Sequence, residues 1–230
     1  MINLGLVGAA GCGKDTVADI LVKRYGFVKY SFSDALYREV AEAFGLEDAS
    51  VLYNRETKEE PTTSLALDNC KDELFHMVYI KERVTGQARS VRYGKDPNSP
   101  REILQLWGTE YRRAQDPDYW IKKADEWIYD VLANAGYPEQ RPQYFVNTAV
   151  RFANEQDWIH KFTCGNVWHI RRGNILPVNA HVSESGLPVR EVERELWNND
   201  TIDRLAYGID LLLRTSAQFV KVLPMEETSL

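Results

Sequence analysis

The stretch Ile2-Asn3-Leu4-Gly5-Leu6-Val7-Gly8-Ala9-Ala10-Gly11-Cys12-Gly13-Lys14-Asp15-Thr16 decides how the rest of the chain is read. Its apolar opening, Ile2 to Val7, reads as a short buried strand, and Val17-Ala18-Asp19-Ile20-Leu21-Val22 reads as a helix. A glycine-rich loop between strand and helix, ending in Lys and a hydroxyl residue, is the context of a P-loop. Gly8, Gly11 and Gly13 let the backbone turn at little steric cost and bring N–H groups toward phosphate. The helix beginning near Gly13 turns its partly positive end to the same place, and Lys14 has the reach for terminal phosphates. The stretch implies a nucleoside triphosphate site built from Gly8, Gly11, Cys12, Gly13, Lys14, Asp15 and Thr16. The plain alternative, a glycine-rich turn without ligand, does not explain why strand and helix flank the loop as the motif requires.

One position departs from the generic pattern. Asp15 stands where Ser or Thr is usual, and Thr16 follows. A carboxylate beside a triphosphate adds repulsion unless it faces Mg²⁺, its water shell or a nearby Arg. Asp15 and Thr16 are therefore the candidate metal residues, directly or through water. The departure favours small-molecule kinases over GTPases and motor ATPases.

The 230 residues are 44% hydrophobic and 27% charged, as in an ordinary globular protein, and are enough for one large α/β domain with an insertion. The formal net charge of −6 argues against a nucleic-acid polymer as partner, since such binding rests on a basic surface. A mononucleotide needs only a local basic cluster. Cys12, Cys70 and Cys164 are widely spaced, form no metal-ligand pattern and fit a reducing cytoplasm. No apolar run approaches the ~20 residues of a membrane span. With strand and loop at the very N-terminus, no signal peptide is expected.

Along the chain, strands are expected at 2–7, 27–32, 144–146 and 167–170, with a short strand and turn over 196–201. Helices are expected at 14–24, from Ser33 to Phe44 with Gly45 as its stop, near 67–83, from Pro100 to about Arg113, at 119–134, from Arg151 to Lys161, and from Ile202 to Leu213. Ser99, Pro100 and Glu102 form a capping-box signature. The alternation implies a parallel sheet covered on both faces. Residues 1–215 read as one domain, with 46–100 as an inserted, mobile, mostly helical region and 216–230 as a loosely ordered tail.

In such a sheet, ligands bind beyond the carboxyl ends of the strands. Besides the P-loop, that rim carries Ser33-Asp34, the Asn147 to Glu155 segment with Arg151, and Arg171-Arg172. Asp34 reads equally well as a helix cap, and Arg151 as a surface charge, though its strand-end position favours an anion. Of Arg171 and Arg172, one is expected to face the site. Gly108 interrupts a good helix at a cost of ~1 kcal/mol. It marks either a close approach by a ligand or backbone, or the helix end. Trp120 reads equally as a base-stacking or a core residue. His181, Ser183 and Glu184 lie in a loop that reads as a helix cap or a cover over a nucleotide.

Taken in series, these segments resemble the deoxynucleoside monophosphate kinases of tailed bacteriophages. The likeness rests on Gly8 to Thr16, Tyr30-Ser-Phe-Ser-Asp34-Ala-Leu36, Tyr53-Asn-Arg55-Glu56-Thr57, Leu104-Gln-Leu-Trp-Gly108-Thr109-Glu110, Asp118-Tyr-Trp120, Val150-Arg151-Phe152-Ala-Asn154-Glu155, Ile170-Arg171 and His181-Val-Ser183-Glu184-Ser-Gly-Leu-Pro188. It implies a three-layer P-loop NTPase fold of the nucleoside monophosphate kinase type. It also implies transfer of a phosphoryl group from ATP, with Mg²⁺, to a dNMP, giving dNDP for phage DNA synthesis in the host cytoplasm. Lys14, Arg113 and Arg151 are then the catalytic candidates, and Arg171 joins the ATP residues. Asp34, Arg55, Gly108, Thr109, Arg113, Trp120, Arg151 and Glu155 would serve the dNMP. A homodimer through the faces of Trp107 and Trp127 is one option, which core packing of both rings explains equally well. The family pattern usually has an Asp two residues before the Arg of Val-Arg-Phe, and this chain has Ala149, leaving Asp15 as a candidate substitute. The alternatives are a kinase of another small phosphorylated acceptor, such as dephospho-coenzyme A, and a non-catalytic ATP-binding regulatory module.

Overall fold

In the computed structural model, the described residues are 1–54, 56–85, 94–137, 140–163, 165–173, 187–216, 219 and 222. The chain forms two compact units, Met1–Phe32 with Ala124–Leu230, and Ser33–Lys123.

The first unit is built on a five-stranded sheet: β1 (Ile2–Val7), β2 (Val28–Tyr30), β3 (Tyr144–Asn147), β4 (Asn166–Arg171) and β5 (Arg194–Trp197). The strands lie in the order β2-β3-β1-β4-β5 and every pairing is parallel. The sheet alternates its faces. Leu4, Leu6, Trp168, Ile170 and Leu196 join one core cluster with residues of α1 (Lys14–Tyr25) and α7 (Ile202–Thr215). On the other face Gly5 lets α6 (Ala153–Phe162) approach closely, since a Cβ there would fall 2.5 Å from Ile159. Trp127, on the later part of α5 (Tyr119–Asn134), stacks on Tyr30 at 5.6 Å. Helices thus cover a parallel α/β sheet on both faces, as expected.

β1 is central, and the chain leaves it for opposite sides of the sheet, β3 on one and β4 on the other. The crevice beyond the carboxyl end of β1 is therefore a topological switch point, where open α/β sheets bind ligands.

Several boundaries differ from expectation for identifiable reasons. β2 begins at Val28, because the Phe27 N–H is drawn to Leu21 O at 3.3 Å, closing off α1. α6 begins at Ala153 rather than Arg151, because Glu155 accepts the N–H groups of Arg151 (2.8 Å) and Phe152 (3.1 Å). β5 starts two residues early at Arg194, and Thr201 caps α7 by accepting the Arg204 N–H at 3.3 Å. Within the stretch read as a tail, the described residues Ser216, Phe219 and Val222 are buried; Phe219 packs against Phe27 and Trp168.

The second unit contains α2 (Ser33–Phe44), α3 (Glu73–Thr85), α4 (Pro100–Gln105), a π-helical stretch Leu106–Arg113 and the start of α5. α2 has the bounds read from sequence. Ser99 and Glu102 close the capping box, Glu102 N–H to Ser99 Oγ at 3.3 Å and Ser99 N–H to Glu102 Oε2 at 3.2 Å. The helix expected near 67–83 is split. Leu67–Asn69 makes one tight turn, and Asp72 then accepts the Phe75 N–H at 3.0 Å and starts α3 anew.

Candidate active site

The P-loop leaves β1 at Val7 and runs into α1 at Lys14. Its conformation favours glycine at three places, Gly8, Gly11 (φ +79°) and Gly13. Gly8 lies so close to β4 that a Cβ would meet Ile170 O at 2.5 Å. Gly13 has φ +103°, and a Cβ would lie 2.1 Å from Asn198 Nδ2. No side chain caps α1, whose N-cap residue is Gly13. A helix N-terminus without a side-chain cap is an anion site in waiting. Lys14 Nζ donates to Gly8 O (2.7 Å) and Ala9 O (3.0 Å), so its ammonium lies over the loop. Cys12 is buried in the core, so it offers the loop backbone rather than its thiol.

The electrostatic problem posed by Asp15 has a local answer. Its carboxylate lies 3.3 Å from Lys29 Nζ, and Lys29 also reaches Asp19, one helical turn on, at 2.9 Å. Burial works against the charged ammonium, but the two carboxylates outweigh it and raise the Lys29 pKa. Asp15 thus has Lys29 of β2 beside it, a cation that offsets its charge next to the loop. Thr16 stands half-buried in the first turn of α1. Among the described residues no three His, Cys, Asp or Glu side chains converge as a metal site. Asp15 and Thr16 offer oxygen donors in the first turn of α1, the kind of ligand that Mg²⁺ takes alongside waters and phosphate oxygens.

The neighbouring strand ends bring further candidates to the same rim. Beyond β3, Arg151 is exposed, and buried Glu155 holds its backbone from below. One Glu155 oxygen, Oε2, is engaged in starting α6. Ala149 is buried, and its N–H goes to Asn147 Oδ1 at 2.8 Å. At the end of β4, Arg171 pairs with Glu195 of β5 at 2.7 Å, while Arg172 is exposed. The sequence reading missed Asn198, directly after β5. It donates to Cys12 O (2.9 Å), and its N–H meets Arg171 O (2.7 Å). Its only sequence signal was a polar Asn198-Asn199-Asp200 turn after a strand.

In the second unit, Asp34 is exposed in the first turn of α2, where a carboxylate suits the helix dipole. Gly108 does not end a helix; it lies buried within the π-helical stretch, where a Cβ would meet Leu36 at 3.2 Å. Trp120 is 4% exposed and donates to Gly108 O at 3.0 Å. The base-stacking expectation for Trp120 is thereby corrected to a core role. Thr109 and Arg113 are half-buried on the same stretch. Trp107 is buried too, which removes it from any dimer face. Arg55, His181, Ser183, Glu184 and Cys164 lie outside the described residues.

The stretch is held by a polar lattice that sequence reading also missed. Glu39 of α2 accepts from Trp107 Nε1 (3.0 Å), Arg112 Nε (2.9 Å) and Tyr119 OH. The Arg112 guanidinium sits over the rings of Tyr111 (4.4 Å), Tyr119 (5.2 Å) and Trp107 (5.5 Å). Tyr111 OH in turn donates to Asp72.

The comparisons with known proteins agree in kind. The family model described as Deoxynucleotide monophosphate kinase matches residues 40–209. A protein of Acanthamoeba polyphaga mimivirus, provisionally named as a deoxynucleotide monophosphate kinase, is 27% identical over 212 residues, covering 88% of this chain and 91% of its own. The deoxynucleotide monophosphate kinase of Enterobacteria phage T4 is 24% identical over 233 residues, 87% of this chain and 93% of that one. The deoxynucleoside-5'-monophosphate kinase of Escherichia phage T5 is 24% identical over 240 residues, with coverages of 89% and 92%. With the family match spanning well over half of its length, the chain belongs to the deoxynucleotide monophosphate kinase family.

Proposed function

We propose that this chain moves the γ-phosphoryl group of ATP onto the phosphate of a deoxynucleoside monophosphate, with the P-loop holding the donor. The family makes it a nucleotide kinase. The observation that carries the donor assignment is the loop between β1 and α1, with Lys14 over its carbonyls and the α1 N-terminus at the switch point of the sheet. Phosphoryl transfer to such an acceptor needs little acid–base help. The acceptor phosphate has a second pKa of about 6 and is largely dianionic at neutral pH. Positioning and charge neutralisation do the work.

In this reading Lys14 and the backbone N–H groups of Gly11, Gly13 and Thr16 hold the β- and γ-phosphates. Arg151, at the end of β3, stabilises the transferring group, and its planar fork matches phosphate oxygens bidentately. Arg113 and Arg55 hold the acceptor phosphate, with Thr109 and Asp34 near the deoxynucleoside. Arg171 covers the ATP side of the loop. Thr16 is the residue that would hold Mg²⁺. The ion supplies charge neutralisation between the phosphates when bound. Asp15, next to Thr16 in the first turn and offset by Lys29, would face the ion or its waters and is the candidate to stand in for the acid that position 149 lacks.

The reading is tested by ADP release from Mg-ATP with dAMP, dGMP, dCMP, dTMP and the matching ribonucleotides offered singly. Stimulation by at least one deoxynucleotide, exceeding that by its ribonucleotide, is expected. No stimulation by any of them, with ATP bound, would sink the acceptor assignment.

A further inference from the structure

Asn198, directly after β5, touches the P-loop. Its Nδ2 donates to Cys12 O at 2.9 Å, and the same nitrogen sits where a Cβ on Gly13 would be, 2.1 Å away. Its own N–H is anchored to Arg171 O at 2.7 Å. The next residue repeats the device outside the loop, Asn199 Oδ1 accepting the Gly173 N–H at 2.6 Å. One turn after β5 therefore ties the end of β4 to the P-loop.

The chemistry follows from the peptide unit. The Cys12–Gly13 peptide is planar and trans, so its C=O and N–H point in opposite directions. Holding Cys12 O toward Asn198 turns the Gly13 N–H away from β5. Gly13 is the N-cap of α1, and its φ of +103° leaves the peptide at a position with soft, glycine-only geometry. Without a donor on the carbonyl, rotation of that peptide would direct the carbonyl oxygen, not the N–H, toward an anion.

We propose that Asn198 is a positioning residue for the nucleotide: it fixes the Cys12–Gly13 peptide so that the Gly13 N–H is presented to a phosphate. The proposal rests on the P-loop being the donor site. It is tested on the full chain by calorimetric titration with Mg-ADP, which needs no acceptor. Asn198→Ala removes the donor, and Asn198→Asp replaces it by an acceptor of the same shape. Asn199→Asp is the charge control, because it adds the same charge one residue on and keeps the acceptor for Gly173. Both Asn198 variants are expected to bind Mg-ADP about tenfold or more weakly, with unchanged circular dichroism, while Asn199→Asp stays within about threefold of wild type. The Gly13 amide resonance, shifted by ADP in wild type, is expected to lose that shift in Asn198→Ala. Wild-type affinity in Asn198→Ala, an equal loss in Asn199→Asp, or a loss that tracks unfolding would overturn the proposal. Wild-type protein that binds no ADP would overturn the donor-site reading itself, and the proposal with it.

Discussion

The two units of this protein hold their shape by different means. In the first, the P-loop is a backbone object: glycines at fixed places, carbonyls under Lys14, and one side-chain amide on Cys12 O. In the second, the Leu106–Arg113 stretch is fixed by side chains from well-separated parts of the sequence, with Glu39, Asp72, Arg112 and three aromatic rings in one lattice. The backbone site depends on its glycines and on the one side-chain amide that holds it. A side-chain lattice tolerates backbone variety but not loss of a shared charge.

The sharpest break of this comparison is Lys14→Ala. If the lysine has its proposed role of neutralising phosphate charge in the transition state, turnover should fall by ~1000-fold, while thermal unfolding stays near wild type. Near-normal turnover would remove the P-loop from the chemistry. Next comes Gly13→Ala, which combines an unfavourable φ with the contact on Asn198. About 1–3 kcal/mol of strain is expected, read as weaker Mg-ADP binding and a lower melting temperature together. Retained affinity would mean that the loop geometry is not set by Gly13.

The second unit should answer in stability. Arg112→Ala leaves Glu39, whose side chain is 20% exposed, without its cation and empties the space over three rings. A loss of about 2–3 kcal/mol is expected by urea unfolding. A loss under ~0.5 kcal/mol would reduce the lattice to an ordinary surface ion pair.

The smallest effect concerns a carboxylate in the first unit. Glu193 is buried and accepts from His169 (2.6 Å), His160 (2.8 Å), Gln156 (2.6 Å) and the Arg190 N–H (2.9 Å). Burial pushes its pKa up, but these hydrogen bonds outweigh it and hold the carboxyl below its ordinary value of 4.5. Its folded pKa is depressed, so its contribution is complete above pH 4.5 and is lost as pH falls through the native value. Glu193→Gln should therefore be less stable than wild type at pH 7, with the gap narrowing only as pH falls below 4.5. A gap that widens on acidification would contradict the assigned sign.

The sequence was most legible where local rules act. The bounds of β1, α2 and α5, the Ser99–Glu102 box and the P-loop all follow from residues within a few positions of one another. Gly108 shows the limit. Sequence pattern left it between a helix end and a close approach, and the answer depends on Leu36, more than seventy residues earlier. Trp120 is the same case, because its partner Gly108 O is set by a π-helical register that no propensity specifies.

The sequence by itself determined a parallel α/β fold, a glycine-rich loop after its first strand and a nucleotide-kinase family, because strand, glycine spacing and capping are short-range and carry their own geometry. Only the tertiary structure decided that Asp15 faces Lys29, that Trp120 belongs to the core, and that Asn198 and Glu39 hold the two regions in shape. Those assignments depend on side chains brought together from distant positions, and which polar groups meet is settled by how the strands and helices pack.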